Sequence, residues 1–191
     1  MKSLETKICN EGTVLDGNIL KVGSFLNQQI DVEFLSEMAQ EIKRLYSDVN
    51  VNKILTIESS GIAIAVAAGM AMRVPVVFAK KNKSNNVSGS VYKTIVHSYT
   101  HNTDYDVIVS TDYLKRDENV LIIDDFLANG KALEGLIDIV GQAGGKVVGC
   151  TCAIEKGFQG GGDRLREQGI RVSSLAVVDE MSPAGIKFRE I

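Results

Sequence analysis

One stretch, Val120-Leu121-Ile122-Ile123-Asp124-Asp125-Phe126-Leu127-Ala128-Asn129-Gly130-Lys131-Ala132, constrains the fold more than any other part of the chain. Its four leading apolar residues predict a strand, Val120 to Asp124, of the kind buried on both faces at the centre of a parallel sheet. Two carboxylates stand at the end of that strand. A short loop containing Gly130 follows, and Ala132 to Ala143 reads as a helix. In open α/β sheets ligands bind beyond the C-terminal ends of the strands. Backbone N–H groups and the dipole at the helix start make an anion site suited to a phosphate. Carboxylates beside a phosphate would repel it, so Asp124 and Asp125 should face sugar hydroxyls or a Mg²⁺ ion on the same ligand. A phosphorylated sugar meets both demands. The bland alternative makes the two acids a mere strand end and helix approach. A Walker B strand is excluded, because its GxxxxGK[ST] partner would need Gly where Asp125 stands and Ser or Thr where Ala132 stands.

The rest of the chain continues the same alternation. Val32, Leu35, Met38, Ala39, Ile42 and Leu45 fall at helical spacing behind Asp31 as N-cap. Lys53 to Ile57 is a short β-branched run that ends in Glu58-Ser59-Ser60-Gly61. Ile62 to Met72 then reads as a buried helix and Val74 to Ala79 as a second strand, which completes a βαβ unit. Later come a strand over Lys146 to Ile154, a short helix holding Leu165, and a final strand over Arg171 to Val178. Residues 1–30, with Gly12, Gly17 and Gly23, read as an irregular N-terminal hood, joined by the C-terminal part of the chain. Residues 80–119 start polar and basic and carry strands over Val91 to Val96 and Val107 to Ser110, as a flap would. No repeat or linker divides residues 1–191. The expected fold is a single α/β domain with a mostly parallel twisted sheet flanked by helices.

Composition narrows the function classes. An apolar share of 45% and a net charge of −3 exclude a disordered chain. With 21 Lys+Arg against 24 Asp+Glu, a dedicated nucleic-acid surface is not expected. The longest apolar run, Ile62 to Met72, is far short of the roughly 18 residues a membrane helix needs. Glu5, Asn10 and Glu11 interrupt any signal-peptide core. Cys9, Cys150 and Cys152 lack CxxC spacing, so free thiols in a reducing cytoplasm are expected.

The stretch from Val120 to Ala132 resembles the ribose-phosphate-binding motif of the type I phosphoribosyltransferases, where apolar residues, two acids, a spacer and a small-residue loop recur at this spacing. Glu58-Ser59-Ser60-Gly61 is similar to that family's pyrophosphate-binding loop, and the segment from Lys80 falls where its catalytic loop lies. The strand ending Ala153-Ile154-Glu155-Lys156-Gly157-Phe158 also fits, and the likeness is strongest to the branch that acts on xanthine. The resemblance implies the type I phosphoribosyltransferase fold and the transfer of a phosphoribosyl group from phosphoribosyl pyrophosphate to xanthine. It implies that Asp124 and Asp125 hold the ribose hydroxyls and that Ala128, Asn129, Gly130, Lys131 and Ala132 cradle the phosphate. Ser59, Ser60, Gly61, Lys80 and Lys81 are the implied pyrophosphate residues, and Leu20, Asn27, Lys156 and Phe158 the implied xanthine residues. Mg²⁺ would arrive with the pyrophosphate, with no metal ligand from the protein directly, and a homodimer is expected.

Departures from the family pattern shape those expectations. Asn129, Lys131 and Ala132 stand where many members carry Thr, Gly and Thr, so backbone amides should form most of the cradle. Ser60 stands where adenine-type relatives carry Arg, and a strained or cis peptide near Ser59 is implied. Ser98-Tyr99-Thr100 fall at the flap tip, with His97 and His101 read as solvent-facing. The bland alternatives are a solvated edge for Lys80 and Lys81, hood packing for Leu20 and Asn27, and an exposed Lys156 beside a core-capping Phe158. Two functional rivals stay open: an enzyme for another purine, and a regulator that senses phosphoribosyl pyrophosphate. The second would need an added DNA-binding domain, for which the acidic composition and the helix starting at Asp31 leave no room.

Overall fold

The sheet is built outward from its most apolar strand. In the computed structural model, which describes residues 1–16, 18–81, 89–98 and 103–190, that strand is β7 (Asn119–Leu127). It is flanked by β3 (Lys53–Ile57) and β8 (Lys146–Lys156), both parallel to it. Beyond β3 lies β4 (Val76–Lys81), and beyond β8 lies β9 (Val172–Ser182). Three more strands complete the sheet among the described residues: β5 (Val91–Ser98) and β6 (Thr103–Ser110) past β4, and β10 (Gly185–Phe188) past β9. These outer strands pair antiparallel.

Two crossovers run in opposite directions from the middle of the sheet. β3 leads through α3 (Gly61–Met72) to β4, while β7 leads through α4 (Lys131–Ala143) to β8. Right-handed crossovers of opposite sense place their helices on opposite faces. Accordingly Ile64, Ala65 and Ala68 of α3 share one core with Ile54, Leu121 and Ile123, and Leu133, Leu136 and Ile139 of α4 share the other with Leu55, Val120 and Ile122. The strand order therefore reverses between β3 and β7. α2 (Val32–Leu45) packs beside α3, capped by the Asp31 carboxylate, which accepts from the Phe34 N–H at 3.1 Å.

Four local readings need correction. Residues 1–30 are not irregular throughout, because α1 (Lys2–Glu11) forms by burying Leu4 and Ile8, one turn apart, under β9 and β10. It is followed by a hairpin of β1 (Thr13–Leu15) and β2 (Ile19–Lys21) and a π-turn over Gly23–Asn27. β4 runs on through Lys80 and Lys81, which pair with Ile108 and Val107 of β6, so these two lysines belong to the sheet. β7 continues past Asp124 to Leu127 because β8 still supplies a partner there. Val178 does not end the last strand either: β9 reaches Ser182 and turns back as β10, where Ile186 and Phe188 join the core.

Tyr46, which ends α2, packs directly onto Gly149 of β8. Tyr46 is fully buried there, and its hydroxyl donates to the Cys150 carbonyl at 2.7 Å. A Cβ on Gly149 would overlap Cε1 of the Tyr46 ring and stand 2.9 Å from its Cζ. Gly149→Ala is expected to cost about 1–3 kcal/mol through overpacking. That should appear in thermal unfolding as a Tm lowered by roughly 2–12 °C. An unchanged Tm would mean that the helix shifts at no cost.

Candidate active site

The reversal of strand order leaves a notch in the sheet. Pairing between β3 and β7 stops at Leu55 and Ile122, whereas β7 and β8 stay in register to Leu127 and Glu155. Past Ile122, β7 thus has an open side, and Asp124 and Asp125 stand beside it. The loops after β3 and β7 open into the same notch. This is the crevice at a topological switch point where α/β sheets bind ligands.

Both loops lead into helix starts that carry no side-chain cap. The peptide between Glu58 and Ser59 is cis, and α3 begins directly after it with no side-chain cap on its first N–H groups. The Glu58 N–H donates to the Ala79 carbonyl at 3.0 Å, and its carboxylate accepts from the Lys81 N–H at 2.6 Å, which ties the loop to β4. After β7, Gly130 adopts φ +80, a left-handed turn that favours glycine. The Asn129 side-chain oxygen accepts from the Lys131 N–H at 3.1 Å, which closes a turn just ahead of α4, whose N-cap is Gly130. Among the described residues no acceptor meets the N–H groups of Gly130 and Ala132. Unpaired N–H groups at a helix start are what a phosphate binds.

Both carboxylates are buried, each with 6% of its surface exposed. Asp124 Oδ1 accepts from the Asp125 N–H at 2.9 Å. Burial, and then the charge of Asp125, push the Asp124 carboxyl well above its ordinary range, with Lys81 opposing them. Gly61 is required here, since a Cβ on it would lie 2.8 Å from Asp124 Oδ1 and would overlap the Thr56 hydroxyl. That hydroxyl is buried with no hydrogen-bond partner among the described residues.

The other residues singled out in the sequence divide into those gathered at the notch and those placed elsewhere. Lys81 lies close enough to influence Asp124, and its ammonium sits 5.5 Å from the Tyr105 ring centre. Lys80 points to the opposite face of β4, as alternation in a strand demands. It lines a separate cavity of about 470 Å³ with Lys53, Phe78 and Tyr113. Lys156 ends β8 at the notch. Its ammonium donates to the Asn18 carbonyl at 2.8 Å and lies 5.6 Å from the Phe126 ring centre, and burial lowers its pKa. Phe158, in the turn after it, is 37% exposed. Asn27 reaches the site from the π-turn, with Nδ2 3.5 Å from Asp125 Oδ2. Leu20 is buried against the hood's own Val22, Phe25 and Leu26 as part of the core. Lys131 is held by Glu134 at 2.7 Å. His97 pairs with Asp104 at 2.7 Å, while Tyr99, Thr100 and His101 lie outside the described residues.

Sequence reasoning missed Thr56 and Arg164. It placed Glu58 in the first loop without assigning it a partner, and Thr56 lies just before that loop. The Arg164 guanidinium donates to the Asn129 carbonyl and reaches Glu134 Oε1 at 3.1 Å. Nothing at Arg164 in the sequence announces this, because the contact spans 35 residues.

Comparison with known proteins agrees with this geometry. Residues 26–173 match the family model described as phosphoribosyl transferase domain. The chain is 53% identical to a xanthine phosphoribosyltransferase of Lachnoclostridium phytofermentans, over 95% of this chain and 94% of that protein. It is 52% identical to a xanthine phosphoribosyltransferase of Bifidobacterium adolescentis, over 99% of this chain and all of that protein. Among solved structures, adenine phosphoribosyltransferase from Rhodothermus marinus superposes with a TM-score of 0.75 at 18% identity, covering 93% of this chain and 100% of that one. At that identity the likeness shows the fold alone.

The raised pKa of Asp124 has a consequence for stability. Because the folded-state pKa lies above the unfolded one, the unfolded chain ionises first and stability is lost as pH rises between the two. Asp124→Asn should therefore raise Tm at about pH 7, and the gain should vanish near about pH 3, where the carboxyl is protonated in both states. Differential scanning fluorimetry across that range checks it. A lower Tm at neutral pH would show that the ionised carboxylate stabilises the fold.

Proposed function

The chain belongs to the phosphoribosyltransferase family, and we propose that it moves the 5-phosphoribosyl group of phosphoribosyl pyrophosphate onto xanthine, giving xanthosine 5′-monophosphate and pyrophosphate in purine salvage. The carrying observation is the notch itself. Two anion-binding loops flank a buried acid pair, and a lysine and an aromatic ring stand at the neighbouring strand end. Near-half or greater identity along almost the whole chain to proteins named for xanthine supports the choice of base.

In this reading the bond from ribose C1 to the pyrophosphate oxygen breaks, a base nitrogen bonds to C1, and that nitrogen loses its proton. Positive charge builds on the ribose as the leaving group departs. Asp124 and Asp125 hold the ribose hydroxyls and lie beside that charge, which favours the transition state over the ground state. The loop at 128–132 takes the 5′-phosphate. Ser59, Ser60 and Gly61 offer backbone to the pyrophosphate, with Lys81 as the nearby cation; Lys80, on the other face, would need a second copy or a flap movement to contribute. Lys156 donates to the 6-oxo group, Phe158 stacks on the ring, Asn27 reads the 2-oxo end, and Leu20 backs the hood. No covalent nucleophile is required, because positioning supplies much of the rate.

Mg²⁺ would enter as a companion of the substrate. Magnesium commonly relies on substrate phosphates for its remaining ligands, so the pyrophosphate would carry it to the backbone of 59–61. When bound it supplies charge neutralisation to the leaving group. The chain acts as one domain in the cytoplasm and as a homodimer. We place the dimer contact on the apolar faces of α2 and α3, where Val32, Val66 and Met70 are exposed around a groove of about 710 Å³.

The decisive assay supplies phosphoribosyl pyrophosphate, Mg²⁺ and one purine base at a time, and identifies the nucleotide by mass. Xanthosine monophosphate is expected as the main product, and adenine should react very poorly. Lys156→Gln should lower kcat/KM for xanthine by roughly 10- to 150-fold, the weight of one charged hydrogen bond. Equal losses for every base would mean that Lys156 shapes the pocket without reading the purine. Replacing Asp124 and Asp125 together by Asn should keep the fold and lower turnover by orders of magnitude. Wild-type turnover in that double variant would remove the pair from the mechanism.

A further inference from the structure

The 128–132 loop does not hold its own shape. Behind it stands α5 (Gly161–Glu167), whose first residue lies flat against the loop: a Cβ on Gly161 would come within 2.5 Å of the Asn129 carbonyl carbon and 2.6 Å of the Gly130 nitrogen. From the next turn of α5, Arg164 donates through Nη2 to the Asn129 carbonyl oxygen. The same guanidinium reaches Glu134 Oε1 through Nε at 3.3 Å and Nη2 at 3.1 Å. Glu134 also takes the Lys131 ammonium, on its other oxygen, at 2.7 Å. Burial opposes ionisation of Glu134, but the bonds from Lys131 and Arg164 outweigh it and hold the carboxyl below its ordinary range.

The geometry of one peptide converts these contacts into a consequence for binding. The Asn129–Gly130 peptide is not among the cis bonds, so its C=O and N–H point in opposite directions. Fixing the carbonyl on Arg164 fixes the direction of the Gly130 N–H, which has no acceptor among the described residues. Gly130 itself, at φ +80, has little intrinsic preference and could turn this peptide over. A flipped peptide would present a carbonyl oxygen to an incoming phosphate in place of an N–H. The Arg164 charge is already met by Glu134 and by the Asn129 carbonyl, so orientation rather than direct anion binding is its task.

We infer that Arg164 is a positioning residue for phosphoribosyl pyrophosphate, acting by locking the Asn129–Gly130 peptide so that its N–H faces the 5′-phosphate. The inference rests on the reading of 128–132 as the phosphate cradle. It also links the two substrates: the segment that carries Lys156 and Phe158 to the base continues within six residues into the helix that aims the phosphate loop.

The test is steady-state kinetics on the full chain, varying each substrate in turn, for wild type, Arg164→Gln, Arg164→Lys and Arg164→Ala. Arg164→Gln should raise the KM for phosphoribosyl pyrophosphate by about 10-fold, the size of one lost charge-assisted hydrogen bond, and leave the KM for xanthine within about 2-fold. Arg164→Lys should fall between it and wild type, since an ammonium can reach the carbonyl but cannot fork to Glu134. Low-millimolar guanidinium chloride should restore part of the lost affinity in Arg164→Ala and do nothing for wild type. An unchanged KM for phosphoribosyl pyrophosphate in Arg164→Gln overturns the inference. So does an equal loss for both substrates with no guanidinium rescue, the pattern of a merely structural residue. If Arg164→Gln does not fold, the Lys variant carries the comparison. A wild-type protein that makes no nucleotide would instead sink the broader functional reading, so the two failures are distinguishable.

Discussion

The structure depends on one unpaired strand side. β7 keeps β8 as a neighbour to Leu127 but loses β3 after Ile122, while β3 itself runs on beside β4 to Ile57. Everything chemical in the site follows from that lost neighbour. The gap exposes the backbone of both loops, lets α3 and α4 begin side by side on opposite faces, and creates a place for two carboxylates at the edge of an apolar core. A strand paired on both sides to its end would have closed the notch, and the same residues would then have formed ordinary sheet.

Holding two carboxylates in that place has a cost, and the surroundings show how it is met. The Asp124 carboxyl is destabilised as an anion by burial and by Asp125. The Asp125 N–H and the nearby Lys81 offset part of this, and the Thr56 hydroxyl, buried and without a partner among the described residues, stands close by. A ligand bringing hydroxyl donors to the acids and negative charge to the loops would satisfy groups that the free protein leaves short. Such a site is unfavourable for the empty protein and favourable for the filled one, which is how preorganised electrostatics act on a cationic transition state.

Much of this was legible in the chain because local rules and tertiary packing agree there. Asp31 caps α2, Lys53 to Ile57 forms β3, and the apolar-acid-acid-glycine stretch sits at the central strand and its loop. The misreadings arose where packing across the fold decides. α1 is a helix because Leu4 and Ile8, one turn apart, are buried by distant strands, with Asn10 and Glu11 exposed and Glu5 itself buried. Lys80 and Lys81 look alike in sequence, yet as neighbours in a strand they serve opposite faces. Periodicity could have separated them had β4 been known to extend so far. Arg164 was invisible, because nothing in its neighbourhood predicts that it will meet Asn129.

The strand end that carries Lys156 is steadied by a second charge system. Glu155, 1% exposed, is held by both Nη atoms of Arg166, at 2.9 and 2.7 Å, and by the Ser174 hydroxyl. Arg166 also meets Asp163, which pairs with Arg189, and Arg189 in turn pairs with Asp179. A buried ion pair is weak evidence for stability, since desolvation can exceed the Coulombic gain. Its value here is directional. Glu155 and Lys156 are adjacent on β8, so their side chains leave the strand on opposite faces. Anchoring Glu155 to α5 and β9 therefore fixes the strand end that presents Lys156 to the notch. The same helix that anchors Glu155 through Arg166 aims the phosphate loop through Arg164. One seven-residue helix thus sets the distance between Lys156 and the 128–132 loop, the two places that the proposed reading gives to the base and the 5′-phosphate of a single nucleotide.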